Sequence, residues 1–210
     1  MALTTEDLVI SSWHEALLKD GGPENYNKCA PAYDTHFADL SKGPESVFKV
    51  WMTYYQKRAD KQKQKVLDAG CGTGLVGKRF GDLVSQGLVE LYGGDLSSGM
   101  LEIAKSKNIY ADLQIVNLQK PLPYDAESFD SITCSGVFVQ SHCGVETLPH
   151  LTRVLKREGI IVATIRQAFF ESTKQDWERE IRECNCEIVE QVDVPYLDDM
   201  TAVLLVIRKL

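Results

Sequence analysis

The first chemically suggestive feature of the chain is a set of three alternate glycines behind an acid. The run is Asp68-Ala69-Gly70-Cys71-Gly72-Thr73-Gly74, and the apolar residues Val66 and Leu67 precede it. The apolar residues predict a buried strand and helical spacing resumes at Leu75, so the glycines form a strand-to-helix turn. Such a turn lets backbone N–H groups approach a ligand without interference from side chains.

The kind of ligand follows from two acids. Glycines suit any nucleotide-like cofactor, but a carboxylate such as Asp68 beside the turn favours a cofactor that presents a cation there. S-adenosylmethionine carries an ammonium group and a sulfonium. Asp95 lies 21 residues beyond Gly74, close to the roughly 20-residue spacing at which an acid reaches a ribose. We therefore predict a site for S-adenosylmethionine in which Asp68 orients the amino group, Asp95 accepts from the ribose, and the turn lies under the cofactor through Gly70, Cys71, Gly72 and Gly74.

Further turns are expected at the same edge, because ligands of open α/β sheets bind at the carboxyl ends of the strands. Leu96 and Met100 would flank the adenine, although Met100 is equally well explained as a core residue. Asp95 has an alternative role in capping the next helix. After the fourth predicted strand, Cys134 and Ser135 would line the methionine end of the cofactor.

The run from Asp68 to Gly74 resembles motif I of the class I S-adenosylmethionine-dependent methyltransferases, whose pattern is an acid, any residue and then Gly-x-Gly-x-Gly. Segments 121–124 and 128–130 resemble the Leu-Pro-Phe and Ser-Phe-Asp sequences of that family. Within it, run 71–76 and the Tyr-rich segment before motif I resemble the small methyltransferase-like proteins of the Williams–Beuren syndrome region.

The resemblance implies roles that the residues alone do not give. Asn117, followed by Leu118, stands where many relatives carry an Asp that reaches the adenine amino group, and an amide oxygen can still accept there. Tyr26 and Tyr33 stand in the segment that closes over the cofactor in relatives, with helix packing as the alternative. The family's Asn-Pro-Pro-Tyr and Asp-Pro-Pro-Tyr tetrapeptides do not occur, which argues against methylation of adenine in DNA and of glutamine-type amides.

Alternating apolar segments predict the elements that position these turns. The pattern indicates five strands, at 66–69, 89–94, 113–116, 129–134 and 160–165. The helices that join them include one at 75–83 and one from about 98 to 106. Two late strands, 186–194 and 202–207, are separated by a short loop and predict an antiparallel hairpin. We expect an α/β fold with a Rossmann-like, seven-stranded, mostly parallel sheet, a C-terminal antiparallel hairpin and helices on both faces. The resemblance adds the strand order 3-2-1-4-5-7-6.

The domain prediction is a single methyltransferase domain over residues 1–210. Residues 1–62 would form an N-terminal helical lid, with one helix at 3–19, and residues 63–210 the Rossmann-like core. The candidate general base is His142, eight residues after Cys134, because a neutral imidazole can take a proton near neutral pH. A loop or helix-cap role is the alternative for His142. Arg166, after the fifth strand, would meet an anionic substrate or a neighbouring carboxylate.

Composition restricts the partners. The net charge of −7 disfavours a nucleic-acid partner, because proteins that grip phosphate backbones usually carry a basic surface. No apolar run approaches the roughly 20 residues needed to span a bilayer, and no secretory signal is visible. The six cysteines include no C-x-x-C pair, so reduced thiols in the cytoplasm and no metal site are expected. A small-molecule acceptor is the first choice, and a peptide or protein acceptor the second.

Two other functions fit parts of the sequence. Run 72–77 matches G-x-G-x-x-G, and with Asp95 it allows an NAD-dependent oxidoreductase. Asp68 argues against an oxidoreductase, because its carboxylate would lie near the pyrophosphate of NAD and the two negative groups would repel each other. The second alternative is a binding protein that keeps the methyltransferase fold without catalysis.

Overall fold

A computed structural model describes residues 22–59, 62–197 and 199–210. Over these residues, seven strands form one sheet in the order β3-β2-β1-β4-β5-β7-β6. Their bounds are Gln64–Ala69 (β1), Val89–Asp95 (β2), Asp112–Ile115 (β3), Phe129–Phe138 (β4), Leu155–Arg166 (β5), Cys186–Leu197 (β6) and Met200–Lys209 (β7). Strands β1 to β5 are parallel, and β7 is antiparallel to both β5 and β6. The predicted fold class, strand order and terminal hairpin are confirmed.

The helices occupy both faces and the carboxyl edge of the sheet. The helical elements are Pro23–Phe37 (α1), Gly43–Lys57 (α2), Leu75–Arg79 (α3), Gly81–Ser85 (α4), Ser98–Ser106 (α5), a 3-10 turn Val145–Thr147, Leu148–Val154 (α6) and Gln167–Glu183 (α7). Helix α5 has the predicted bounds. The predicted helix at 3–19 lies outside the described residues.

The core consists of two layers because successive residues of a strand point to opposite faces. Leu67 packs on one face together with Trp177 of α7, whereas its neighbour Val66 packs on the other face together with Trp51 of α2. The indole Nε1 of Trp51 donates to Oγ of Ser131 at 2.7 Å, which satisfies a buried polar group and fixes α2 against β4.

Several predicted elements have other bounds in the structure; the strand predicted at 160–165, for example, begins at Leu155. Two of the differences have a clear physical cause. The helix predicted at 75–83 is divided into α3 and α4, because the N–H of buried Phe80 donates to the Gly77 carbonyl in a tighter i→i−3 bond. The fourth strand was predicted to end at Cys134 but continues to Phe138. A register shift separates Cys134 from Phe138, and Gly136 has φ +80 within that stretch, so the strand passes through a bulge instead of ending.

Helix α1 lies over the carboxyl edge of the sheet and packs on α5. Cys29 and Ala30 form a small buried cluster with Met100 of α5. After α1, the chain reaches the last strand pair, where the Lys42 N–H donates to the Tyr196 carbonyl at 2.7 Å. The path of α1 and its exit therefore frames the space above the strand ends.

Candidate active site

A cavity of about 420 Å³ lies at the carboxyl ends of the strands, beneath α1. Its volume falls in the range of roughly 300–1,000 Å³ that small-molecule sites occupy. The residues around it come from α1, from the turns after β1, β2 and β3, from β4 with its following loop, and from the ends of β5 and β6. The predicted turns therefore converge on one cavity.

The glycine turn forms the floor of the cavity. Gly70, Gly72 and Gly74 have φ of +71, +53 and +88, values that side chains rarely tolerate. A Cβ at Gly70 would lie 2.1 Å from Cγ2 of Val137, whereas a Cβ at Gly72 would meet nothing within 4 Å. Gly70, Cys71 and Gly72 line the cavity, and Gly74 instead caps α3 behind it. The space beside Gly72 is therefore open, and it stays open because glycine has no side chain to fill it.

Asp95 joins the turn after β2 to the glycine turn. One carboxylate oxygen accepts from the Gly72 N–H at 2.8 Å and the other from the Ser97 N–H at 2.9 Å. Burial raises the pKa of Asp95, and these backbone N–H groups oppose that rise. The cap of α5 is made by Ser97, whose hydroxyl accepts from the Met100 N–H. Asp95 therefore lies in the cavity wall with lone pairs left for a ligand.

The neighbouring residues form the other side of this end of the cavity. Leu96 is 44% exposed and Met100 is 1% exposed, and both line the cavity. Asn117 and Leu118 line it after β3. Oδ1 of Asn117 accepts from the Gln119 N–H at 2.9 Å, which leaves one lone pair of this oxygen and the amide NH₂ for a ligand.

Besides Gly74, two further predicted residues lie behind the cavity wall. Asp68 is fully buried, and its carboxylate accepts from the Tyr110 hydroxyl at 2.7 Å and from the Thr133 hydroxyl at 3.2 Å. Burial raises the pKa of Asp68 to about 7. Cys134 is also fully buried and belongs to the core, because β4 continues past it and turns the next residue, Ser135, towards the cavity. Neither Asp68 nor Cys134 lines the cavity.

The two tyrosines and the histidine singled out in the sequence meet above the glycine turn. Tyr26 and Tyr33 of α1 and His142 of the loop after β4 all line the cavity. The Tyr26 hydroxyl lies 2.6 Å from Nε2 of His142, and Oγ of Ser141 lies 3.0 Å from Nδ1. Burial raises the pKa of Tyr26 well above its ordinary value. The imidazole is thus held through both nitrogens.

Further polar contacts of α1 escaped the sequence analysis. Asp34 accepts from the Thr73 hydroxyl and from Nζ of Lys107, each at 2.5 Å, and Nζ also donates to the Thr73 carbonyl at 2.6 Å. Asn27 accepts from the Ser97 hydroxyl at 2.7 Å and from the Gly99 N–H at 2.8 Å. The one sequence signal for these contacts was that Asp34 directly follows Tyr33, which was an expected lid residue.

The cavity is polarised along the sheet. Among the described residues that line it, Asp95 is the one acid and Arg166, the last residue of β5, is the one arginine or lysine. Across the part of the chain that the structure describes, no group of three or more His, Cys, Asp or Glu side chains is arranged to hold a metal ion. No described helix has the length and apolar character that crossing a bilayer requires.

Comparison with known proteins relates the chain to one domain family. Residues 67–163 match a family model described as "Methyltransferase domain". Human methyltransferase-like protein 27 is 31% identical over 142 residues, which cover 67% of this chain and 56% of the relative. The ubiquinone/menaquinone biosynthesis C-methyltransferase UbiE of Campylobacter jejuni is 27% identical over 148 residues, 66% of this chain and 60% of the relative. The chain thus spans between half and two thirds of the length of these relatives.

Solved structures agree with the fold. The YcgJ protein from Bacillus subtilis superposes with a TM-score of 0.61 over 79% of this chain and 98% of its own, at 16% identity. At that level of identity the likeness concerns the arrangement of the strands and helices.

Proposed function

Because the chain belongs to the S-adenosylmethionine-dependent methyltransferases, we propose that it transfers a methyl group from this cofactor to a small-molecule acceptor. The observation that carries the proposal is that the glycine turn, Asp95, Tyr26 and His142 line the same cavity. The family assignment replaces the oxidoreductase alternative.

The residues at the β1–β3 end of the cavity fit the cofactor. Asp95 has both oxygens fixed by backbone N–H groups and suits the two hydroxyls of a ribose. The open space at Gly72 admits the cofactor close to the backbone. Leu96, Met100 and Leu118 offer apolar surface for an adenine.

Asp68 acts through the turn instead of through direct contact. Its carboxylate is surrounded by the hydroxyls of Tyr110 and Thr133, which fixes the end of β1 and hence the start of the glycine turn. This assignment replaces the expected role of orienting the cofactor's amino group. Cys134 is likewise a core residue behind the wall, whereas Ser135 lines the cavity.

The catalytic role of the chain is to align an acceptor and receive its proton. When bound, S-adenosylmethionine supplies an electrophilic methyl group on its sulfonium, open to in-line attack by an acceptor atom. Tyr26 and His142 both line the cavity, and the Tyr26 hydroxyl lies 2.6 Å from Nε2 of His142. We assign His142 as general base: the Tyr26 hydroxyl takes the acceptor's proton as it gives its own to Nε2. The proton then leaves to solvent.

Two observations support a small acceptor, and a third supports a location in the cytoplasm. Helix α1 covers the cavity, so a large substrate would need to displace it. The UbiE relative is named for methylation in quinone biosynthesis, which is small-molecule chemistry. All six cysteines are free thiols, as proteins of a reducing compartment usually have.

A binding experiment followed by a transfer experiment tests the proposal. Isothermal titration calorimetry should show binding of S-adenosylhomocysteine and none of NAD; the reverse result would overturn the cofactor assignment. Isotopically labelled methyl groups from S-adenosylmethionine should then appear in the small-molecule fraction of a cell extract. Label in the protein fraction alone would replace the acceptor class, and binding without label in either fraction would make the chain a non-catalytic binding protein.

The role of His142 is tested with the same labelled fraction. His142→Gln should lower the rate of label transfer about 10²- to 10⁴-fold, the usual effect of losing general-base catalysis, with the affinity for S-adenosylhomocysteine changed by only a few-fold. The matched control is His150→Gln, which alters a histidine of α6 that does not line the cavity. An unchanged transfer rate in His142→Gln would return His142 to a structural role.

A further inference from the structure

Three polar side chains at the β4–β6 end of the cavity have no hydrogen-bond or ionic partner among the described residues. They are Ser135 of β4, Arg166 of β5 and Tyr196 of β6, and all three line the cavity. At the opposite end of the cavity, in contrast, Asp95 accepts from backbone N–H groups and the Thr73 hydroxyl donates to Asp34. Polar groups held at a concave surface without partners indicate a ligand that supplies them.

The three side chains lie close together. A Cβ on Gly43 would be 2.9 Å from Oγ of Ser135 and 3.2 Å from the Tyr196 ring. A Cβ on Gly136, the bulge residue next to Ser135, would be 3.6 Å from the Tyr196 hydroxyl. Arg166 is near enough to Tyr196 for its charge to act on the phenol. The two glycines leave the space between these groups clear.

Strand order separates this cluster from the proposed cofactor end. Asp95 ends β2, and the sheet then runs through β1 and β4 to β5, which ends at Arg166. Three strand spacings of about 4.8 Å each separate the two strands. A cofactor whose ribose is at Asp95 and whose chain crosses the glycine turn therefore leaves the β5 and β6 ends to the acceptor.

The charges and walls specify the acceptor further. No acid lines the cavity near Arg166, because Asp95 at the opposite end is the one acid among the described lining residues. The remaining wall at this end is mostly apolar and comprises Phe37, Pro44, Val139, Leu197 and Met200. Burial raises the pKa of Tyr196 to about 12, so its hydroxyl stays protonated and can donate at neutral pH.

We infer that the methyl acceptor is a small carboxylic acid with an apolar body, whose carboxylate is bound by Arg166 with donation from the hydroxyls of Tyr196 and Ser135. The guanidinium fork matches the two oxygens of a carboxylate, and the apolar wall takes the body of the molecule. The inference rests on the proposed function and names the substrate class for the same site. The other source of a carboxylate is the methionine part of the cofactor, and the experiment separates the two.

The test observes Arg166 directly in protein labelled with ¹⁵N-arginine and saturated with S-adenosylhomocysteine. The probes are benzoate, phenylacetate and hexanoate, each paired with its neutral amide. At least one acid should shift the Nε–Hε resonance of Arg166 in a saturable manner, and its amide should not. Arg166→Met should weaken binding of that acid about tenfold to a hundredfold, the usual effect of losing a charge-assisted hydrogen bond. Arg157→Met, at the exposed opposite end of β5, should leave it unchanged.

Three results would overturn the inference. One is that no acid binds, or that acids and amides bind equally well. Another is that Arg166→Met binds the acid as the wild type does. The last is that S-adenosylhomocysteine itself shifts the Arg166 resonance and binds at least about tenfold more weakly to Arg166→Met, which would assign Arg166 to the cofactor's carboxylate. Failure of S-adenosylhomocysteine to bind the wild type would instead reject the proposed function.

Discussion

The hydroxyl of Tyr26 lies 2.6 Å from Nε2 of His142, although 116 residues separate the two in the chain. Their rings meet edge to face, with centroids 5.5 Å apart. One residue belongs to α1 and the other to the loop after β4, so this contact closes the cavity between the helix above and the sheet below. Tyr26, an expected lid residue, and His142, the candidate base, are therefore in direct contact.

Removing the Tyr26 hydroxyl should loosen this closure without changing the ring. Tyr26→Phe should bind S-adenosylhomocysteine about two- to tenfold more weakly, because one hydrogen bond contributes about 0.5–1.5 kcal/mol. Calorimetry gives the affinity. Tyr124→Phe is the matched control, since the buried Tyr124 hydroxyl has no partner in the described part of the chain. Equal affinities for the two variants would mean that the contact does not support the closed cavity.

The Asp34–Lys107 pair should control how often α1 opens. The side chains are 34% and 16% exposed, so the contact is only partly screened by water. We expect Asp34→Asn to accelerate amide hydrogen exchange in residues 23–37 and to increase the dissociation rate of S-adenosylhomocysteine several-fold. Asp39→Asn alters an exposed acid just after the same helix and should do neither. Identical exchange profiles for Asp34→Asn and the wild type would show that the ion pair does not hold α1.

Asp95 is expected to carry a large share of the cofactor affinity. Asp95→Asn removes the charge and places an NH₂ group against one of two backbone N–H donors. Loss of charge-assisted bonds should weaken binding of S-adenosylhomocysteine about tenfold to a hundredfold. Asp125→Asn is an exposed control. If calorimetry gives affinities within twofold of each other for the wild type, Asp95→Asn and Asp125→Asn, Asp95 does not bind the ribose.

Gly72→Val should block the cofactor by filling open space and by straining a backbone with φ +53. Gly87→Val carries a similar strain at φ +71, also has open space around it, and lies away from the cavity. Both variants should lose a similar amount of thermal stability, but only Gly72→Val should lose binding of S-adenosylhomocysteine. Retained binding in Gly72→Val would place the cofactor elsewhere.

Asp68 should make the protein less stable as the pH rises. Its pKa is raised to about 7 in the folded state from an ordinary 3.8. Between these values the folded state holds a proton that the unfolded state has released, so the free energy of unfolding falls as pH increases, by at most about 1.4 kcal/mol per pH unit. The stabilisation from this proton is complete below about pH 4 and is lost by about pH 7.

Urea unfolding at a series of pH values measures this effect. Asp68→Asn cannot ionise, so its free energy of unfolding should lack the part of the pH dependence that comes from Asp68. The free energy of unfolding of the wild type minus that of the variant should therefore decrease from about pH 4 to about pH 7. Asp125→Asn should follow the wild type throughout. Parallel curves for wild type and Asp68→Asn would show that Asp68 is ionised in the folded protein.

Sequence patterns predicted the elements and turns that depend on residues close together in the chain. They did not predict the side-chain contacts that depend on where α1 packs. The bounds of α5, the glycine turn and the terminal hairpin follow from local periodicity and turn residues. The Asp34–Lys107 pair joins residues 73 positions apart, and no local sequence pattern predicts such a contact. Asp68 precedes the turn as predicted, but only the fold shows that Tyr110 takes its carboxylate.

Strand β4 illustrates a second limit. Its sequence predicts an end at Cys134, because Ser135 and Gly136 are poor strand formers. The structure continues the strand through a bulge at Gly136. Successive residues of a strand point to opposite faces, so of the two residues expected to line the cavity here, Cys134 belongs to the core and Ser135 lines the cavity.

The division of the cavity along the sheet also bears on how such a chain diversifies. The residues that face the proposed methyl donor come from turns after β1, β2 and β3, whereas Arg166 and Tyr196 come from β5 and the hairpin strand β6. Substitutions in the hairpin can therefore reshape one half of the cavity while the other half is inherited unchanged. Paralogues that keep the glycine turn but differ at positions 166 and 196 would then share a donor and have diverged in the molecules they modify.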